Sequence, residues 1–184
     1  MKNEQKEKMM ETPVSDMIPI SAQRERRNNE NAHDSHLAVW EAGGGIHQQN
    51  VHGETLLMLA ARMGGSLDLP RLLLAKGIGL EIADRKGYTA LSHAVLWHHT
   101  ELVRLLISAG ADVHVRDKWG HTLLMLVVQS THRENEAIIR LLLDAGVAPH
   151  AKDICGYTAW TYARIFGASP EVEALLNSPE KLIA

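Results

Sequence analysis

Cysteine is all but missing from the 184 residues: Cys155 stands alone. A single thiol excludes an internal disulfide and fits a reducing compartment. Charge of one sign is also lacking. The formal net charge is -3, which argues against the strong basic field of a dedicated nucleic-acid binder. No run approaches the ~20 apolar residues that a membrane span needs. The first eight residues, Met1 to Lys8, are charged and polar with no apolar run behind them, so no signal peptide is expected. Together these absences lead us to expect a cytoplasmic chain that neither enters a membrane nor binds nucleic acid. Hydrophobic residues still make up 45% of the chain, enough to bury a core.

Signatures of catalysis and metal binding are missing too. There is no His-Glu-x-x-His, no paired-cysteine pattern and no Gly-x-Ser-x-Gly, the spacings that place zinc ligands or an exposed serine nucleophile. Gly43-Gly44-Gly45 lacks a following Lys-Ser or Lys-Thr and does not read as a phosphate loop. Eleven histidines invite a metal reading. However, His47, His114 and His150 share one repeat position and read as turn residues, and the adjacent His98 and His99 cannot face one another on a helix. We expect no catalytic residues, no metal and no cofactor.

What is present is periodicity. Glycine recurs at 53, 87, 120 and 156, and again at 43, 77, 110 and 146, with spacings of 34, 33 and 36 in both series. Three residues before the first series stands Asn50, Asp84, Asp117 or Asp153; two residues after it stands Thr55, Thr89, Thr122 or Thr158. Asn or Asp starts a turn by bonding its own backbone, glycine supplies positive φ, and threonine caps the helix that follows. That first helix is short, as in 56–63 or 90–97, with small residues such as Ala61, Ala94 and Ala163 that allow close approach. A second helix carries an apolar stripe: Leu69, Leu72 and Leu73; Leu102, Leu105 and Leu106; Ile138, Leu141 and Leu142; Val172, Leu175 and Leu176. Gly77, Gly110 and Gly146 then end it as left-handed residues.

This unit of about 33 residues, with Gly-x-Thr, two helices and an Ala-Gly-Ala-Asp-Val ending, resembles the ankyrin repeat. The resemblance spans roughly residues 36–177. It implies an all-α solenoid of helix-turn-helix units with β-hairpin fingers. We expect a tail over 1–30 with at most a short helix after Ser21, and an ankyrin-repeat domain over 31–177. The domain divides into a half-repeat cap at 33–49, repeats at 50–83, 84–116, 117–152 and 153–177, and a C-terminal tail at 178–184. The family's Thr-Pro-Leu-His reads Thr-Leu-Leu-Met, Thr-Ala-Leu-Ser, Thr-Leu-Leu-Met and Thr-Ala-Trp-Thr here. Losing proline at the first helical turn removes preorganisation. Unit three has about three extra residues between its helices, where Thr131-x-x-Glu134 can form a capping box.

Family members contact partners through the finger tips and the exposed face of each first helix. Carried to this chain, that implies a partner-binding set of His52, Arg62, Arg85, Lys86, Tyr88, Trp97, Arg116, Lys118, Trp119, His121, Ile154, Tyr157 and Phe166. The chain has only eight aromatic residues, and five of them (Tyr88, Trp97, Trp119, Tyr157 and Phe166) fall in this set. Aromatics and arginine are the usual hot-spot residues of interfaces. The competing reading packs some of these aromatics between repeats, above all Trp97 and Phe166, and places Trp160 and Tyr162 in the core. The function expected is a non-catalytic protein-protein interaction module, a dedicated binder or inhibitor of one cognate protein (immunity-like) or its accessory. The partner expected is another protein with an acidic surface, and the chain is expected to be a monomer on its own. The alternative is an exported effector that uses its N-terminal tail as the secretion signal and its repeats to bind a host protein.

Overall fold

The computed structural model describes residues 45–129 and 135–177. The helix expected after Ser21, most of the half-repeat cap, the capping box at Thr131 and the tail at 178–184 lie outside the described residues. Within them the chain forms four pairs of helices. These are α1 (Leu56–Met63) with α2 (Asp68–Ala75), α3 (Ala90–Leu96) with α4 (Thr100–Ser108), α5 (Leu123–Val128) with α6 (Asn135–Asp144), and α7 (Ala159–Ile165) with α8 (Pro170–Asn177).

Each pair starts from the same local chemistry. Asp84 Oδ1 accepts the amides of Lys86 at 2.7 Å and Tyr88 at 3.0 Å, and Asn50, Asp117 and Asp153 repeat the pattern. One carboxylate or amide oxygen therefore organises each turn. The turn is closed by a backbone bond, as from the Asp84 amide to the Tyr88 carbonyl at 2.9 Å. Gly87 lies at φ +86°, and a Cβ there would meet the Lys118 amide nitrogen at 3.0 Å. Glycine is thus needed for both the backbone conformation and the close approach of the next unit. Among the described residues no strand is present; the fingers are single hydrogen-bonded turns, shorter than a hairpin ladder.

Threonine then caps the first helix. Thr55, Thr89, Thr122 and Thr158 accept the amides of Met58, Ser92, Met125 and Thr161 at 3.3–3.4 Å. This satisfies an amide that the helix itself leaves without a partner. Helices α2, α4 and α6 end alike. Past α2, Ile78 donates its amide to Leu73 and Gly77 donates to Leu74, the paired bonds that let a left-handed glycine close a helix over a buried apolar residue. Ile78, Ala111 and Val147 are the buried residues at that position.

First helices stack on first helices, α1 on α3 on α5 on α7, and α4, α6 and α8 pack in an outer row. Every residue of α5 is buried, because this helix lies between α3 and α7 and also against α6. The second-helix stripe differs from the sequence expectation. Leu73, Leu102, Leu106, Ile138, Leu142, Val172 and Leu176 are buried as expected, but Leu72 is exposed and Leu105, Leu141 and Leu175 are only half-buried. Pro70, Val103 and Ile139 are buried instead. The displaced position is the middle one of each stripe: in units two and three the inward face keeps the first and last positions and takes in the residue after the first. At 100° per residue, a partial turn of the helix decides how deeply each of two adjacent leucines meets the first-helix row.

Candidate protein-binding surface

The turn residues use their second side-chain polar atom to hook a side chain farther along their own unit. In units one and three the partner lies four residues on: Asn50 Nδ2 donates to Glu54 at 2.7 Å, and Asp117 Oδ2 meets His121 Nδ1 at 2.8 Å. In units two and four it lies nine residues on, in the first helix: Asp84 Oδ2 meets His93 Nε2 at 3.1 Å, and Asp153 Oδ2 accepts the Tyr162 hydroxyl at 2.7 Å. His93 and Tyr162 therefore tie turn to helix where the family's Thr-Pro-Leu-His histidine is missing. His121 Nε2 also reaches the Tyr162 hydroxyl at 3.2 Å, so units three and four share one buried polar chain.

These hooks set the electrostatics. Burial alone would raise the Asp84 carboxyl. The His93 hydrogen bond, the Tyr88 amide, the charge on His93 and the Lys86 amide outweigh burial and hold the group below its ordinary range. Burial, followed by the negative charges of Asp117 and Asp84, pushes the Tyr88 phenol up. Burial, followed by the bond to Asp153 and its charge, does the same to Tyr162. Both phenols are held in the neutral form.

Fingers are also stitched to one another. The amides of Arg85, Lys118 and Ile154 donate to the carbonyls of His52, Lys86 and Trp119 at 3.1, 3.1 and 3.2 Å. The Arg116 guanidinium bridges the carbonyls of Gly120 and Lys152 at 2.8 and 2.9 Å. The result is a continuous edge on which acids and bases are segregated. The side chains of Glu54, Asp84, Asp117 and Asp153 are at most 8% exposed, whereas Arg85, Lys86, Arg116, Lys118 and Lys152 are all exposed. Exposed carboxylates lie at the finger bases, where Glu81 accepts the Asp112 amide at 2.9 Å, and in first turns of second helices, where Asp68, Glu101 and Glu171 complement the helix dipole.

Against the sequence expectation, two residues move from surface to interior. Tyr88 and His121 are each 5% exposed. Their shared position, four residues after the turn Asp, points toward the following unit. Tyr88 faces Asp117 of the following unit and packs edge-on against His93 of its own, while His121 packs edge-on against Tyr162 of the following unit. Their placement on the exposed groove is corrected accordingly. Trp119 is half-buried against the core, with the Lys118 ammonium 4.3 Å from its ring centroid. Trp97 and Phe166 are half-buried residues at the ends of α3 and α7, and Phe166 stacks on Tyr162 at 6.2 Å. Arg62 is half-buried and 3.4 Å from Glu54. His52, Arg85, Lys86, Arg116, Lys118, Ile154 and Tyr157 are exposed, and all lie on the fingers.

Sequence reading missed one cluster. Ligand atoms of Glu54, Asp84 and His93 lie within 4.8 Å of one another. Glu54 already takes Asn50 and Arg62, and Asp84 takes His93, so both carboxylates already have side-chain partners. A cavity of about 490 Å³ lies at the opposite, helix-turn end, bounded in part by Gly64, Ser66, His98, Thr100 and Glu101. His98 adopts φ +58° there, and His99 Nε2 lies 3.3 Å from the Arg62 carbonyl. Among the described residues no helix is long and apolar enough to cross a membrane.

No curated protein matches the chain. The family model for ankyrin repeats in three copies matches residues 27–117. A second model, for the single ankyrin repeat, matches residues 119–154. The turn, cap and stacked helix pairs described above agree with both, and the chain belongs to the ankyrin-repeat family, whose members are generally non-catalytic modules for binding other proteins.

Proposed function

We propose that this chain is a dedicated binder of one cognate protein, an inhibitor or accessory that meets an acidic surface of its partner with the finger edge. The observation that carries the reading is the segregation of charge. Five cations are exposed along the fingers, the turn carboxylates beside them are withdrawn into the fold, and the chain as a whole carries -3. Such a patch steers an acidic partner toward one face and disfavours others. Half-buried Trp119 beneath Lys118 adds an aromatic anchor held in place by the core. The reading involves no catalysis, and its setting is the reducing cytoplasm that a lone cysteine suits.

The test is capture of the partner on immobilised protein, followed by titration of the purified pair against wild type and an Arg85→Glu, Lys118→Glu double variant. Both residues are exposed, so the variant should keep its fold. Stoichiometric binding that weakens steeply with salt and is lost in the variant is the expected result. Full affinity in the variant would exclude the finger edge. The partner's own activity, measured with and without one equivalent of the chain, separates inhibitor from accessory.

A further inference from the structure

Unit four carries a repeat face that no described residue covers. The position four residues after the turn Asn or Asp is buried in the first three units, where Glu54, Tyr88 and His121 are 7, 5 and 5% exposed, because each points into the unit that follows. Tyr157 holds this position in unit four and is 40% exposed. Around Gly156 a Cβ would meet nothing within 4 Å, whereas the equivalent Gly53, Gly87 and Gly120 each face the next unit's backbone at 3.0–3.2 Å. The helical half of the same end is finished differently: Arg164 is exposed and lies over the Trp160 ring at 5.0 Å, a polar closure of the kind terminal repeats need. The finger half has no such closure. It presents Tyr157 beside Ile154, which is 46% exposed and stands where the two preceding fingers carry Arg85 and Lys118.

The finger tips of units two and three are basic and that of unit four is apolar; Val51 is apolar and exposed at the same position of unit one, but Glu54 beside it is buried, so unit four presents the two-residue apolar patch. We infer that the partner segment is acidic along units two and three and carries an apolar side chain that seats on Ile154 and Tyr157. The occupant follows from charge and continuity: the patch adjoins the cationic edge directly, flanked by exposed Lys118 and Lys152, and the Ile154 amide is bonded to the neighbouring finger at Trp119. An acidic chain drawn onto the cations would pass the patch at their C-terminal end. Seating one apolar side chain there excludes water from an exposed tyrosine and isoleucine. This rests on the finger-edge reading and adds a polarity to it, fixing which end of the partner segment lies at unit four.

The probe is a fluorescein-labelled 12-residue peptide of glutamate and serine, measured by anisotropy against the full chain. A companion series carries a single leucine moved along the peptide. At one register near one terminus the leucine peptide should bind about tenfold tighter than the parent. An Ile154→Ser, Tyr157→Ser variant should lose that gain, and Arg85→Glu should weaken both peptides. If the parent peptide does not bind at all, the finger-edge reading falls, and this inference with it. Parent binding without a gain at any register, or a gain that survives the double serine variant, overturns this inference alone. A gain seen only after deletion of residues 178–184 would assign the patch to that segment of the chain and likewise overturn it.

Discussion

His121 and Tyr162 lie 41 residues apart in sequence and belong to different repeat units, yet His121 Nε2 and the Tyr162 hydroxyl are 3.2 Å apart. The phenol donates a hydrogen bond to Asp153 at 2.7 Å, and the other imidazole nitrogen faces Asp117 at 2.8 Å. Two turn carboxylates are thus joined through one histidine and one tyrosine, all with buried side chains. Removing one partner of such a bond strands the other, at about 1–3 kcal/mol. We expect Tyr162→Phe and His121→Ala each to destabilise the chain by an amount in that range, or more for alanine, which also empties volume. The double variant should fall short of the sum, since both changes break one chain of bonds. Urea unfolding of the four proteins measures the shortfall. Strict additivity would mean that the chain of bonds does not couple units three and four.

Alkaline pH gives a second handle on the same tyrosines. The phenols of Tyr88 and Tyr162 are raised in the folded chain, so the folded state holds protons that the unfolded chain releases. A group raised in this way contributes stability that is fully present below the unfolded value, near 10 for tyrosine, and is lost as pH rises past it. Stability should fall between pH 9 and 11. Tyr88→Phe has no phenol to ionise and should fall less steeply over that window. Parallel curves for the two proteins would remove Tyr88 from the account.

Asp84 works in the opposite direction. Its carboxyl is held below the ordinary 3.8, so its contribution is present above that value and lost as pH falls through the lower folded one. Asp84→Asn keeps an oxygen for the turn amides but cannot hold His93 with a charge. It should be less stable than wild type at pH 7, and the difference should shrink as pH drops below 3.8. Chemical unfolding at pH 7, 5 and 3 measures it; a difference that grows toward acid would contradict the assignment.

How much of this could be read in advance depends on whether the information is local. The turn Asn and Asp, the threonine caps and the helix-ending glycines act within a few residues, so spacing alone placed them. The direction of the fourth residue after the turn Asp is set by the neighbouring unit. For that reason Tyr88 and His121 looked like surface residues until the stacked units buried them. The hooks through His93 and Tyr162 were equally hidden, since they join positions nine residues apart across a turn and a helix. A signal was available: a polar residue among the apolar positions of a first helix, opposite a turn Asp with an oxygen to spare. Charge segregation on the fingers needed burial as well, because the sequence places acids and bases there side by side.

Glycine exchange separates the internal strain of a finger from its contact with the next unit. Gly87 and Gly156 share a left-handed conformation, at φ +86° and +89°, but only Gly87 faces the backbone of a following unit. Gly156→Ala should cost about 1 kcal/mol, from the left-handed conformation alone. Gly87→Ala adds a clash with the Lys118 amide and the Asp117 backbone and should cost clearly more, since neither group can yield without shifting unit three. Thermal or urea unfolding of both variants measures the difference. Equal losses would mean that the close approach of units two and three contributes nothing to stability.

The second-helix register is tested by two adjacent leucines. Leu73 is fully buried, and Leu72 beside it is 47% exposed. Truncating a buried leucine costs about 2–5 kcal/mol, depending on how far its surroundings close in; surface substitutions usually stay within about 0.5 kcal/mol. Leu73→Ala should therefore destabilise the chain severely, while Leu72→Ala should leave unfolding nearly unchanged. A large loss at Leu72 would return that residue to the buried stripe that the sequence alone suggests, in which Leu72 and Leu73 both face the first-helix row.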